Sequence, residues 1–343
     1  MIETLPSSTT AAETGTGRAA PAIVARDLVK TYGGKVRALD GLSFEVEAGA
    51  IFALLGPNGA GKSTTIKILN TLSRPDSGSA HVAGIDVLAE PERVRSAIGC
   101  VAQKSGVDAE ATGRENLTLQ GRIYGMRGQN LKDRVSELLA HFNLSEAADL
   151  VARTYSGGMQ RKLDIAMGLV HRPSVLFLDE PTTGLDPQAR ADLWEDISRL
   201  ASDFGITVLL TTHYLEEADQ LAARLAIVDR GKLVVEGTPD RLKGELMGDA
   251  IHIEFAHAET ESDVREAVSH LAGIAEIVVD GQSLHARASQ GATAVPGMLA
   301  ALESKGLKVA SVKVARPSLD DVYLRYTGRT FSEAEQNNRK GSR

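Results

Sequence analysis

Short apolar runs bounded by charged or turn-forming residues recur through the first two thirds of the chain. AIVARDLV, LSFEVEA, AIFALL, SVLFLD, ITVLLTT and RLAIVDR read as strands. Between most of them the pattern lengthens to a helical period. PQARADLWEDISRLASDF, for example, carries apolar residues at Ala191, Leu193, Ile197 and Leu200. Alternating strands and helices predict an α/β domain with a largely parallel sheet. From about residue 104 to residue 172 the pattern is only helical, as in NLKDRVSELLAHFNL, which predicts a helical subdomain inserted into the α/β core.

After GTPDRLKGELMGD the pattern changes. Strand (Ile251 to Phe255), helix (Glu261 to Leu271), strand (Ile274 to Val279), strand (Ser283 to Ala288), helix (Ala294 to Glu303) and strand (Lys308 to Val314) follow in turn. That βαββαβ order predicts a small α+β domain of ferredoxin-like type, with a short helix in SLDDVYLRYTG behind it. The chain thus divides into a tail over 1–21, an α/β domain over 22–247, a small domain over 248–328 and a tail over 329–343. The first tail is rich in Ala, Thr, Ser and Gly, and both are expected to be disordered. Ending the chain near residue 247 is expected to leave nucleotide binding intact.

Composition narrows the partners. A net charge of -7 and a pI near 5.7 argue against nucleic acid, whose phosphate backbone needs a basic face. The single cysteine, Cys100, excludes an internal disulfide framework and fits a reducing compartment. Its setting in AIGCVA predicts a buried strand position. The start of the chain has no basic, apolar signal pattern, and no apolar run approaches the roughly 18 residues that cross a bilayer. A membrane role would therefore be served from the cytoplasmic side.

Candidate chemistry begins at GPNGAGKSTT. Gly56, Gly61, Lys62 and Ser63 fit G-x-x-x-x-G-K-[ST], with Pro57, Asn58, Gly59 and Ala60 between the glycines and Thr64 after. An apolar strand precedes the loop and a helix follows it. Glycines let successive N–H groups point inward, and the helix start adds partial positive charge for a phosphate. Lys62 then reaches the outer phosphates and the Ser63 hydroxyl can ligate Mg²⁺. Further on, the apolar VLFL ends in Asp179 and Glu180. A buried strand that delivers a carboxylate at its end is a second nucleotide-site arrangement, in which Asp179 holds the metal and Glu180 polarises an attacking water.

YSGGMQRKLDIAMGLV adds a helix whose start is bare. Ser156 reads as its N-cap, Gly157 and Gly158 leave the first-turn amides uncovered, and Met159, Leu163, Ala166, Met167 and Val170 form an apolar stripe. Two anion-binding helix starts imply either two phosphates per chain or one shared between subunits.

These motifs resemble those of ABC-type ATPases over about residues 22 to 240. YSGGM resembles the signature motif, with Tyr155 and Met159 at its variable positions. The resemblance implies that Tyr32 in TYGG stacks on adenine, that Gln103 in CVAQKSG contacts Mg²⁺ and water, that Asp186 closes the D-loop, and that His213 contacts the γ-phosphate. It also implies ATP and Mg²⁺ as cofactors, a homodimer, and a separate integral-membrane permease, with the chain peripheral on the cytoplasmic face of the membrane. YSGGM, the small domain and the ending RPSLDDVYLRYTG together resemble the daunorubicin-resistance group, which implies export of a drug-like or lipophilic compound. The rival is a non-transport ABC-type ATPase of DNA repair or translation. Against it, the segment between phosphate loop and signature has no sustained heptads, and the chain carries one cassette.

Overall fold

The structure, a computed structural model, describes residues 20–246 and 248–341; of the expected tail over 1–21, residues 1–19 lie outside them. The chain opens with β1 (Ile23–Tyr32), β2 (Val36–Val46), β3 (Ile51–Leu55), α1 (Lys62–Leu69), β4 (Ser77–Val82), β5 (Ile85–Asp86), α2 (Pro91–Ala97) and β6 (Ile98–Val101). Three helices follow: α3 (Gly113–Ile123), α4 (Gly128–His141) and α5 (Gly157–Leu169). The α/β alternation then resumes with β7 (Val175–Asp179), α6 (Pro187–Phe204), β8 (Thr207–Thr212), α7 (Leu215–Leu221), β9 (Arg224–Asp229), β10 (Lys232–Gly237) and α8 (Pro239–Gly244).

Two sheets build this part. Six strands run in the order β10-β9-β3-β8-β7-β6, parallel from β9 to β6, with β10 antiparallel at one edge. Four antiparallel strands form a second sheet, β2-β1-β4-β5. The central strands are covered on both faces, so they read as continuous apolar runs. Period-two alternation divides their side chains between two cores. Ile51, Ala53 and Leu55 of β3 face the helices, while Phe52 and Leu54 face α1 and the antiparallel sheet. Helix α6 shows how local chemistry sets an element. Asp186 caps its start, Pro187 follows, and Gly205 ends it in the left-handed region. It buries Leu193, Ile197 and Leu200, while Ala191 is exposed.

Several expectations are corrected here. Cys100 is exposed, because β6 is the outermost strand of its sheet; Ile98, Gly99 and Val101 are the buried residues. Strands β4, β5 and β10 fall outside the apolar runs that read as strands: β4 takes its place by pairing with the distant β1, while β5 and β10 fold back on their neighbours β4 and β9 in tight hairpins.

The small domain consists of β11 (Asp249–Phe255), α9 (Glu261–Val268), β12 (Ile274–Asp280), β13 (Ser283–Ala288), α10 (Gly291–Ser304) and β14 (Val309–Ala315). Its antiparallel sheet has the order β12-β13-β11-β14, and α9 and α10 bury Val264, Val268, Met298 and Leu302 with it in one core. The chain then returns to the first domain. Helix α11 (Leu319–Thr327) contacts α7, α8 and β10. Leu319, Val322 and Tyr323 join the apolar cluster that contains Leu225, Ile227, Leu242 and Leu246. The expected disorder beyond residue 329 is corrected by α12 (Phe331–Gly341), whose Phe331 and Ala334 enter the same cluster. A capping box starts it: Thr330 Oγ1 accepts from Glu333 N at 3.2 Å, and Glu333 Oε2 accepts from Thr330 N at 2.9 Å. Arg329 Nη2 pins the turn between α11 and α12, lying 3.0 and 2.7 Å from the two carboxylate oxygens of Asp229.

Candidate nucleotide site

The site lies where adjacent parallel strands end, the usual ligand position in open α/β sheets. Strand β3 leads into the loop of residues 56–61, and α1 begins at Lys62. Glycine is required at both ends of that loop. A Cβ on Gly56 would lie 2.2 Å from Val228 O, and Gly61 has φ of 109° with a Cβ position 2.6 Å from Ala38 O. The Lys62 side chain folds back over the loop. Its Nζ donates to Gly56 O at 2.7 Å and Pro57 O at 3.2 Å, and lies 3.5 Å from Glu180 Oε1. Burial pushes its pKa below the usual lysine value, while Glu180, then Asp179 and Glu335 of α12, work to keep the charge.

Strand β7 brings Asp179 and Glu180 to the loop. Ser63 Oγ donates to Asp179 Oδ1 at 3.2 Å, and Thr211 Oγ1 donates to the same oxygen at 2.6 Å. Glu180 is buried and sits among three side chains that the sequence singled out. Gln103 Nε2 donates to Glu180 Oε2 at 3.3 Å, His213 Nδ1 lies 3.2 Å from that oxygen, and Lys62 approaches the other. Burial pushes the Glu180 carboxyl up, but His213 and Lys62 outweigh it and hold the pKa below its ordinary value, so the group is a carboxylate. Its backbone φ is +48°, a conformation that costs a non-glycine residue about 1–3 kcal/mol and clusters at functional sites. The structure thus gathers Lys62, Ser63, Gln103, Asp179, Glu180 and His213 into one constellation.

The other expected residues lie around it. Tyr32 ends β1 as an exposed residue, 41% accessible, with Lys30 Nζ 5.6 Å from its ring centroid, and this leaves the ring open to stacking. Ser156 caps α5, its Oγ accepting from Met159 N at 3.2 Å, and Ser156 and Gly157 are exposed. Gly158 is close-packed, since a Cβ there would be 3.0 Å from Ala189 Cβ. That contact groups the signature turn with the turn at Asp186, whose carboxylate accepts from Ala189 N at 2.9 Å. Tyr155 is buried, and its hydroxyl donates to Ala147 O at 2.6 Å. Helix α5 is buried more widely than a stripe: Arg161, Asp164 and Ile165 are buried beside Leu163 and Ala166.

Sequence reasoning passed over two residues that hold the constellation. Thr211 receives Glu180 N through both its Oγ1 and its carbonyl, each at 3.1 Å, while donating to Asp179. The hydroxyl pair that ends the apolar run ITVLLTT was its only signal. Arg161 donates to backbone carbonyls around the site, which no motif records. Chemically, the assembly offers loop amides and an ammonium for phosphate, and hard oxygens at Ser63 and Asp179 with the Gln103 amide beside them. Such donors suit Mg²⁺, which is held by few protein oxygens together with phosphate and water.

Known proteins show the same organisation. The family described as ABC transporter matches residues 39–183, and the family described as ATP-binding protein DrrA1-3-like, C-terminal domain, matches residues 237–327. The daunorubicin resistance ATP-binding protein DrrA2 of Streptomyces coeruleorubidus is 44% identical over 315 residues, which cover 92% of this chain and 97% of that one. The daunorubicin/doxorubicin resistance ATP-binding protein DrrA of Streptomyces peucetius is 45% identical over 311 residues, covering 90% of this chain and 92% of its own. A solved dimeric ATP-binding cassette in a post-hydrolysis state, bound to ADP and Pi, superposes with a TM-score of 0.57 at 26% identity over 63% of this chain and 98% of that one. With the cassette fold, the second domain and these identities over most of its length, the protein belongs to the ATP-binding subunits of ABC transporters, in the daunorubicin-resistance group.

Proposed function

We propose that the chain works as a homodimer at the cytoplasmic face of the membrane, hydrolysing ATP to drive export of a drug-like or lipophilic compound through a separate permease. The observation that carries this reading is the Glu180 carboxylate held beside Asp179 and between Lys62, Gln103 and His213. In this mechanism Tyr32 stacks on adenine, and the backbone N–H groups of residues 58–64 with Lys62 hold the phosphates. Ser63, Asp179 and Gln103 are the residues that would hold Mg²⁺, which when bound neutralises phosphate charge. Glu180 accepts a proton from water as its oxygen bonds to the γ-phosphorus. The bond from that phosphorus to the bridging oxygen breaks, leaving ADP and phosphate, and His213 steadies the charge on the γ-phosphoryl group.

The exposed turn at Ser156 and Gly157, with Asp186 beside it, supports a site shared between two copies. Each signature helix start would face the ATP on the partner's phosphate loop. Among the described residues no helix is long and apolar enough to cross a membrane. The relatives named for daunorubicin resistance support a lipophilic cargo.

The test is a cell in which Glu180→Gln replaces the native chain. It is expected to accumulate daunorubicin as a deletion strain does, while the wild-type chain restores efflux. Normal efflux with Glu180→Gln would contradict the mechanism, and a deletion without effect on accumulation would contradict the cargo.

A further inference from the structure

We propose that Arg161 and Asp164, one turn apart on the signature helix, form a positioning clamp that sets Glu180 and the Gln103 loop for hydrolysis. This rests on the reading of Glu180 as the residue that takes the water proton.

Arg161 is buried, and its guanidinium reaches two sides of the site. Its Nε donates to Pro181 O at 2.7 Å, and its Nη2 lies 3.2 Å from Asp179 O and 3.4 Å from Glu180 O. Its Nη1 donates to Ala102 O at 2.7 Å, immediately before Gln103. Asp164 adds a second hold on that segment, with Oδ1 accepting from Gly106 N at 2.9 Å and Oδ2 lying 3.8 Å from Arg161 Nη1. One helix turn therefore grips the carbonyls of both site carboxylates and brackets Gln103 from residue 102 to residue 106.

The grip explains how Glu180 keeps a left-handed backbone. Such a conformation persists when its surroundings over-determine it. Thr211 holds the amide of Glu180, while Arg161 holds its carbonyl and those on either side. A buried arginine is a costly way to gain stability, and apolar replacements of buried ion pairs are often neutral or better. What an apolar residue cannot supply is a rigid fork of five N–H donors aimed at several carbonyls. The clamp also has a direction. Arg161 stands in the helix that Ser156 starts, so displacement of the signature turn by a nucleotide moves Arg161 with it, and with Arg161 the backbone of Glu180 and the ends of the Gln103 loop.

The experiment is a double-mutant cycle on the full chain between Arg161→Lys and Glu180→Gln. Arg161→Lys keeps the charge and loses the fork. Misplacement of a catalytic group by about 1 Å costs up to about 10²-fold, so kcat is expected to fall about 10- to 100-fold. Affinity for a fluorescent ATP analogue should change less than about threefold, because the phosphate loop is untouched. In the Glu180→Gln background Arg161→Lys should leave the residual rate within about twofold, since the group it positions has already been removed. Asp164→Ala, a milder lesion, should lower kcat about fivefold with the same lack of additivity, and it carries the test if Arg161→Lys fails to fold. A kcat within twofold of wild type for the folded Arg161→Lys or Asp164→Ala variant overturns the clamp. An equal fractional loss with and without Glu180 overturns it too, and would mark Arg161 as structural support alone. Full turnover by Glu180→Gln alone would instead sink the assignment of Glu180, so the two failures are distinguishable.

Discussion

Thr211 shows how much of this site depends on residues that carry no motif. Its hydroxyl donates to Asp179 and accepts from the amide of Glu180, so one small side chain orients both carboxylates. Thr211→Val keeps the volume and removes both functions. Hydrogen bonds to charged groups contribute about 1.5–3 kcal/mol, which as a loss of transition-state stabilisation is about 10- to 100-fold in kcat. Steady-state ATPase measurements at saturating ATP and varied Mg²⁺ should show that loss together with a higher Mg²⁺ requirement. Unchanged kcat and unchanged Mg²⁺ dependence would mean that Asp179 is held without Thr211. Residues such as Lys62, Glu180 and Ser156 were legible because their chemistry is local: a glycine loop before a helix, a carboxylate after an apolar strand, a cap before two glycines. Thr211 and Arg161 were not, because their partners lie far away in sequence and only the stacking of β7, β8 and α5 brings them together.

At the scale of elements the signature helix α5 makes the sharpest demand. Its buried faces tie it to its own site through Arg161, while Ser156 and Gly157 at its start stay exposed. If that start serves the partner's nucleotide, Lys62→Ala and Ser156→Arg damage the same composite site from opposite chains. Homodimers of either variant have two damaged sites, whereas a mixed dimer has one site with both lesions and one with neither. Mixing the two inactive proteins should restore part of the ATP-driven dimerisation, followed by light scattering or sedimentation. Mixed dimers that form yet show no recovery of nucleotide response would contradict a shared site. The parallel strands and amphipathic helices could be read from apolar period alone. The antiparallel strands β4, β5 and β10 could not, since Ser77–Val82 is mostly polar, Ile85–Asp86 is only two residues long, and the apolar run within Lys232–Gly237 is only Leu233, Val234 and Val235. The last helix was legible in hindsight: TFSE is a capping box, and the charged, apolar-poor residues that follow hid it.

For the whole molecule, the return of the chain to the first domain decides what can be removed. Tyr323 is fully buried, and its hydroxyl pKa is pushed up to about 12, chiefly by burial. With Leu319, Val322, Phe331 and Ala334 it covers apolar residues of β9 and α8. Tyr323→Ala should cost about 3–5 kcal/mol, roughly 10 °C in Tm. Ending the chain at residue 246 should destabilise it further and expose an apolar face that binds a hydrophobic dye. That outcome replaces the simple expectation of a separable second domain. A truncated chain with native Tm and no dye binding would show that α11 and α12 are dispensable covers. The central claim is that Glu180 drives hydrolysis in an ATP-bound dimer, and Glu180→Gln tests it most directly when binding, turnover and association are followed in one preparation. The account predicts ATP affinity near wild type, turnover reduced at least about 10²-fold, and a dimer that accumulates with ATP and is absent with ADP. Near-normal turnover, or a variant that binds ATP and stays monomeric, would contradict it.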